Sequence, residues 1–409
     1  MAYVIIGNGI AGVSAAEAIR QLDPHGPIVM IGDETETPYC RPMISMVLEG
    51  AITADRLPIR ADNFYEQMGI EPVLGRRVEA VDVTGKTVRL GRDRRISYDK
   101  LLIATGADPR PIQADGLDLK NIFYMRTQAQ IRQMLQVLPD ARRALVLGGG
   151  LVGFKAAYAL LRRGVKVTML IRSGYPLSMQ ADETAGRMIL QELRRKGLDV
   201  RVGIEAVAFE GNSAVRDAHL SDGAWIPCDM VIIGKGVLPA LSFVPRDIIE
   251  VDLGIVVDPR MRTSASDVFA AGDVAEGVDI ARQTRWVNAI WPEAVIQGRI
   301  AGMNMAGRRV SGKGSLGRNV IRIFNLDILT GGVVTPPEND GFEVFQTVDP
   351  RKNAYRKLVF QGDRLAGVVL VNDIEQGGVF LSVMSSETPV TVPKQRLLSP
   401  KFNYRYLSN

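Results

Sequence analysis

The chain opens on a short β-branched run, Tyr3-Val4-Ile5-Ile6, followed by a turn with three glycines, Gly7-Asn8-Gly9-Ile10-Ala11-Gly12. A stretch of helical periodicity, Val13 to Leu22, comes next, and then a second apolar run, Ile28 to Ile31. This order predicts a βαβ unit. The same order recurs at Ala144 to Leu147, Gly148-Gly149-Gly150-Leu151-Val152-Gly153, a helix through Arg163, and Lys166 to Ile171. Leu101 to Gly106 and Val231 to Gly234 read as buried strands ending in turns, at crossings between domains. From Lys313 onward the pattern shortens to alternating strands, such as Arg318 to Phe324 and Leu365 to Val371, separated by Gly, Asp and Pro turns.

One such unit holds one dinucleotide, so two units imply two ligands, the alternative being one ligand beside a degenerate copy. The expected fold is α/β: two Rossmann-like dinucleotide-binding domains followed by a C-terminal α+β domain. The first domain is expected to be discontinuous, over residues 1–110 and 245–311. The second takes 111–244 and the third 312–409. The apolar run from Ala144 to Leu161 approaches the roughly 20 residues of a membrane span, but three consecutive glycines and Lys155 fit a strand, turn and helix better. No membrane span is expected.

Composition narrows the function. At 409 residues, 46% hydrophobic and 23% charged, this is an ordinary globular chain with room for two or three cores. Two cysteines, Cys40 and Cys228, and two histidines, His25 and His219, lie far apart with no Cys-x-x-Cys pair, which leaves little for a metal site. A net charge of +5 spread over this length, with no long Lys/Arg block, does not point to nucleic acid. The first strand begins too early for a basic region and apolar core of a signal peptide to precede it, so a cytoplasmic location is expected.

The glycines carry the chemistry. In Gly-x-Gly-x-x-Gly, Gly7 permits the tight bend, Gly9 lets backbone approach a pyrophosphate, and Gly12 allows close helix packing, while the helix N-terminus attracts phosphate. Asp33, with Glu34 as an adjacent competitor, stands where an acid would bind ribose hydroxyls. In the second copy, Gly148, Gly150 and Gly153 take the glycine roles, yet its second strand ends in Ile171-Arg172 instead of an acid. A carboxylate there would favour NAD. The Arg172 guanidinium can pair with the 2′-phosphate of NADP, or can be a solvated surface arginine, so NADH and NADPH both stay open.

These residues give the chain a resemblance to the flavin-dependent pyridine nucleotide-disulfide oxidoreductase superfamily, in particular its NADH:rubredoxin reductases, ferredoxin reductases and nitrite reductase flavoprotein segments. Nearly the whole chain is covered. The matching pieces are the two fingerprints, Pro38-Tyr39-Cys40-Arg41-Pro42-Met43-Ile44-Ser45, Ala104-Thr105-Gly106, Gly234-Lys235-Gly236-Val237-Leu238-Pro239, Val268-Phe269-Ala270-Ala271-Gly272-Asp273 and Trp291-Pro292-Glu293-Ala294. The resemblance implies FAD in the first unit and NADH or NADPH in the second. It places Asp273 on the flavin ribityl chain, Arg41 near the phosphate side, and the helix start at Glu293-Ala294 beneath the flavin. It also implies an electron-transfer reductase serving a small acidic redox protein such as rubredoxin or ferredoxin, or an iron-sulfur subunit. A homo-oligomer is compatible with it.

Two departures stand out. Many relatives carry a lysine after the Arg-Pro-x-x-Ser run and a glutamate two residues past the last glycine of the second fingerprint, where this chain has Met46 and Lys155. Lys155 lies on an otherwise apolar helix and is expected either to find a partner or to face the cofactors, standing in for the missing cation near the flavin's reactive nitrogen, the alternative being a lysine that snorkels to the domain surface. Cys40 is a lone thiol in the flavin-proximal run, so an NAD(P)H oxidase or peroxide reductase using Cys40 is a second reading. A third is a redox-responsive interaction module. Cys228 reads as a core thiol. The last stretch, with Lys394, Arg396, Lys401 and Arg405 among Phe402, Tyr404 and Tyr406, has no acid after Glu387 and suits an acidic partner or a solvated tail.

Overall fold

The computed structural model describes residues 1–91, 94–338 and 340–407. The chain forms two compact units, the first from Met1–Cys40, Leu57–Asp108 and Leu238–Gly317, the second from Arg41–Arg56, Pro109–Val237 and Arg318–Asn409.

The first unit is built on a five-stranded parallel sheet. Its order is Val268–Ala270, Lys100–Ile103, Tyr3–Ile6, Ile28–Ile31, Ile70–Val73. Every residue of Tyr3–Ile6 is buried, as a strand covered on both faces requires. The register sets Ile6 level with Ile31 on one side and Ile103 on the other, and Ile103 level with Ala270, so the carboxyl ends of four strands line up. Chain order reverses at Tyr3–Ile6, which opens a crevice there. The helix after the first strand spans Ile10–Leu22, three residues earlier than its periodicity suggests, because Gly9 already serves as its N-cap and the end of the glycine turn is helical. It packs on helix Trp291–Met305. A Cβ on Gly298 would come within 2.2 Å of the Ala11 carbonyl oxygen, and one on Gly302 within 2.3 Å of that of Ala15.

The second unit repeats the plan. Its parallel sheet runs Asp199–Val202, Lys166–Ile171, Arg143–Leu147, Met230–Ile233, Ile122–Tyr124. The C-terminal part is an antiparallel five-stranded sheet, ordered Arg318–Ile323, Leu326–Gly332, Arg364–Val371, Ala354–Gln361, Phe342–Asp349, with helix Gly377–Ser386. The expected α/β class with a smaller α+β part is what the chain adopts.

Within this unit Asp182 caps helix Glu183–Arg195 by accepting from the Ala185 amide at 3.1 Å. The same carboxylate accepts from the Tyr355 hydroxyl at 2.6 Å and the Lys357 ammonium at 3.0 Å, and all three side chains are buried. Burial and the neighbouring carboxylate push the Tyr355 phenol well above its ordinary range. Among the described residues no helix is long and apolar enough to cross a membrane.

Candidate nucleotide-binding sites

In the first unit, Gly7 has φ +126°, and a Cβ there would meet the Ala104 carbonyl oxygen at 2.1 Å. Only glycine fits. A Cβ on Gly12 would lie 2.0 Å from the Gly7 carbonyl oxygen, so the turn closes tightly on its own helix. Gly9 is the opposite case: nothing lies within 4 Å of its would-be Cβ, and the space beside its backbone is open. The helix it starts has no side-chain cap and no acid in its first turn. Its first amide N–H groups therefore point toward that opening without a side-chain acceptor, which suits an anion.

The neighbouring strand ends contribute the rest. After Lys100–Ile103, Ala104 is buried, the Thr105 hydroxyl donates to the Ala240 carbonyl at 3.1 Å, and Gly106 turns with φ +70°. After Val268–Ala270, Gly272 has φ +83° and its amide donates to Gln297 Oε1 at 2.8 Å. Asp273 follows, half-buried. Glu293 is buried in the first turn of helix Trp291–Met305, and Ala294 is buried behind it. Past Ile28–Ile31, Asp33 is exposed, whereas Glu34 accepts from the Tyr39 hydroxyl at 2.6 Å. Cys40 is half-buried and its amide donates to the Leu57 carbonyl at 2.8 Å. Sequence reasoning missed Asn8, which braces the glycine turn: its amide donates to the Glu36 carbonyl at 3.1 Å and its oxygen accepts from Tyr65 at 2.9 Å. It also missed Gln297. An x position in a fingerprint carries no signal of this kind.

The second unit has an equivalent cradle. Gly148 has φ +110° and a Cβ there would lie 2.4 Å from the Gly234 carbonyl oxygen. One on Gly153 would lie 2.0 Å from that of Gly148, and one on Gly234 would lie 2.8 Å from the Gly153 amide nitrogen. These three glycines interlock. Gly150 faces open space, and helix Leu151–Arg162 starts from it with neither side-chain cap nor acid in the first turn. Arg172 follows strand Lys166–Ile171 with its side chain 81% exposed, its Nε 3.8 Å from Glu205 Oε2. Glu205, absent from the sequence-derived set, also accepts from the Lys235 ammonium at 2.7 Å. The Lys235 hydrogen bond, first, and the nearby Arg172 charge hold the Glu205 carboxyl below its ordinary range.

Arg41, Pro42 and Lys155 also fall in the second unit. Proline following Arg41 suggests an extended backbone, but the structure opens a 3-10 turn there, Arg41–Met43, because the fixed φ of Pro42 suits a turn's second position. Arg41 Nη1 donates to the Arg126 carbonyl at 2.6 Å. Lys155 is exposed, and its Nζ donates to the Pro42 carbonyl at 3.1 Å. With Met46, Phe154 and Tyr158 it lines a cavity of about 330 Å³. Of the C-terminal cations, Lys394 is paired with Glu343 and packed over the Phe360 ring, while Arg396, Lys401 and Arg405 are exposed. Phe402 is buried, so this stretch is anchored.

Two open glycine cradles, each on the carboxyl edge of its own parallel sheet and each ahead of an uncapped helix, define a protein that holds two dinucleotides. The chain belongs to the pyridine nucleotide-disulphide oxidoreductase family, whose model matches residues 1–298, and residues 318–388 match the rubredoxin NAD+ reductase C-terminal domain. Enzymes of this family contain FAD and use NAD(P)H. Over 400 residues the chain is 31% identical to NADH-dependent phenylglyoxylate dehydrogenase subunit epsilon of Aromatoleum evansii, covering 97% of this chain and 94% of that one. It is 28% identical to the assimilatory nitrate reductase electron transfer subunit of Bacillus subtilis, with 97% of this chain and 51% of that protein covered, so it spans about half of that relative's length. Among solved structures, the covalent putidaredoxin reductase-putidaredoxin complex matches at 26% identity and a TM-score of 0.86, over 95% of this chain and 94% of that one. The cradles fit the family's cofactors, since each leaves open space beside the backbone of its middle glycine, Gly9 or Gly150, at the head of an uncapped helix.

Proposed function

We propose that this protein is an FAD-dependent NAD(P)H oxidoreductase that passes electrons to a protein acceptor of the rubredoxin, ferredoxin or iron-sulfur subunit kind. The observation that carries the reading is the pair of cradles, complete in each unit down to the open middle glycine. Bound FAD supplies the chemistry that takes a hydride from nicotinamide and yields electrons singly. The protein supplies binding, alignment and exclusion of water.

In the first unit, Gly7, Gly9 and Gly12 hold the FAD pyrophosphate against the helix N-terminus, with Asp33 or Glu34 on the adenosine ribose. Ala104, Thr105 and Gly106 line the neighbouring strand end. Gly272 delivers Asp273 to the ribityl chain, and the helix start at Glu293 and Ala294 presents amide dipoles to the ring. In the second unit, Gly148, Gly150, Gly153 and Gly234 hold the nicotinamide nucleotide, with Arg172 at the ribose end. Lys155, by donating to the Pro42 carbonyl, fixes the run that carries Arg41 and brings a cation to it. The exposed Arg396, Lys401 and Arg405 suit an acidic acceptor. Names of relatives support this reading, among them the nitrate reductase electron transfer subunit. A cytoplasmic location goes with it, as NAD(P)H is supplied there.

The test is anaerobic mixing of the purified yellow protein with NADH or NADPH, followed by titration with rubredoxin and ferredoxin. Rapid bleaching and multiple turnovers with a protein acceptor are expected. A colourless protein that takes up no flavin refutes the proposal, and bleaching without turnover with any protein acceptor refutes its electron-transfer part.

A further inference from the structure

We propose that Glu205 selects NADH over NADPH by occupying Arg172. The proposal rests on the Gly148–Gly153 cradle being the nicotinamide nucleotide site. The strand that leads to the adenosine ribose ends in Ile171-Arg172, with no acid of its own. The fold brings one from the next strand. Lys166–Ile171 pairs in parallel with Asp199–Val202, and Glu205 lies just past the carboxyl end of that neighbour. Lys235 comes from the other flank, just past Met230–Ile233, which pairs with the fingerprint strand Arg143–Leu147. Three strand ends thus meet in a chain of charges, Arg172 to Glu205 at 3.8 Å and Glu205 to Lys235 at 2.7 Å.

Burial divides the roles. The Lys235 side chain is only 18% exposed, so its charge is committed to Glu205, while Arg172 reaches into solvent at 81% exposure. A 2′-phosphate approaching Arg172 meets a carboxylate of like charge 3.8 Å from the guanidinium and held there by its hydrogen bond to Lys235. Pushing Glu205 aside would break its bond to Lys235 and strand a largely buried ammonium. A plain ribose suffers neither penalty, and its hydroxyls can donate to a carboxylate. Glu205 therefore supplies from a neighbouring strand the acid that the second fingerprint lacks, and acts chiefly by repelling the wrong nucleotide.

Equilibrium binding of NAD+ and NADP+ to the purified FAD-loaded protein, followed by calorimetry without turnover, tests this. Wild type is expected to bind NAD+ at least about tenfold more tightly than NADP+, and Glu205→Gln to narrow that ratio about tenfold by gaining NADP+ affinity. Adding Arg172→Ala should abolish the gain, and Glu205→Asp, which keeps the charge, should retain most of the wild-type preference. Thermal melts of each variant confirm folding. A ratio that moves less than about twofold in folded Glu205→Gln overturns the inference, as does a wild type that prefers NADP+. If wild type binds neither nucleotide, the assignment of the cradle itself fails, and the inference with it.

Discussion

Replacing Gly150 by alanine separates a glycine needed for folding from one needed for a ligand. Nothing lies within 4 Å of the added Cβ, and the backbone, at φ −83° and ψ 179°, is extended and open to any residue. Alanine is a poorer N-cap than glycine, which costs about 0.5–1 kcal/mol. Restricting the unfolded chain returns about 0.4–1 kcal/mol. The two offset, so stability should change by no more than about 0.5 kcal/mol. The methyl group, however, projects into the open space proposed here for the nucleotide pyrophosphate. Loss of that space should weaken nicotinamide nucleotide binding by at least about tenfold, or 1.4 kcal/mol. Denaturant melts and NAD+ calorimetry on the same sample read both quantities, and flavin absorbance should be unchanged, because the first cradle is untouched. Gly148→Ala is the contrast: at φ +110°, with its Cβ 2.4 Å from the Gly234 carbonyl oxygen, it should lose stability outright. Unchanged NAD+ affinity in a folded Gly150→Ala protein would refute the assignment of the cradle.

Four further outcomes are expected. Lys155→Met should slow flavin reduction in stopped-flow mixing, and an unaltered rate rejects a role for its ammonium. Cys40→Ser should leave NAD(P)H turnover with oxygen or peroxide in place; its abolition would favour the oxidase or peroxide reductase reading. Asp182→Ala strands the buried Lys357 and should cost about 3–5 kcal/mol in denaturant melts, much of it recovered by adding Lys357→Met. The Cys228 thiol, pushed up to about 12 by burial, should resist alkylation of the native protein at pH 9. Because its folded value lies above the unfolded 9.0, its contribution to stability is complete below pH 9 and declines as pH rises toward 12, which alkaline melts of Cys228→Ala against wild type can read.

What the sequence made legible were local backbone demands. Gly7 and Gly148 need left-handed or closely packed backbone, and that need is written in the residue itself, whereas the expected alternation of the C-terminal strands does not hold at Leu365–Val371, where every residue is buried in the middle of the sheet. Glu205 was invisible because its meeting with Arg172 and Lys235 depends on strand order, and no spacing along the chain encodes which strands become neighbours. The bond between Asp182 and Tyr355 likewise joins two distant segments. Arg41 illustrates the reverse difficulty, since the preference of a residue before proline for extended backbone is weaker than the turn its surroundings impose.

The helix pair in the first unit carries one more implication. With the backbone of Ala11 and Ala15 seated against Gly298 and Gly302, the two axes are as near as atoms permit, and no side chain cushions the gap. An extra methyl at either glycine would wedge the rods apart by about 1 Å, since close-packed interiors cannot absorb it. One of these two rods begins at Gly9. The distance between these helices therefore bears directly on the glycine turn, and a hydrogen atom in place of a Cβ at each of the two glycines holds it.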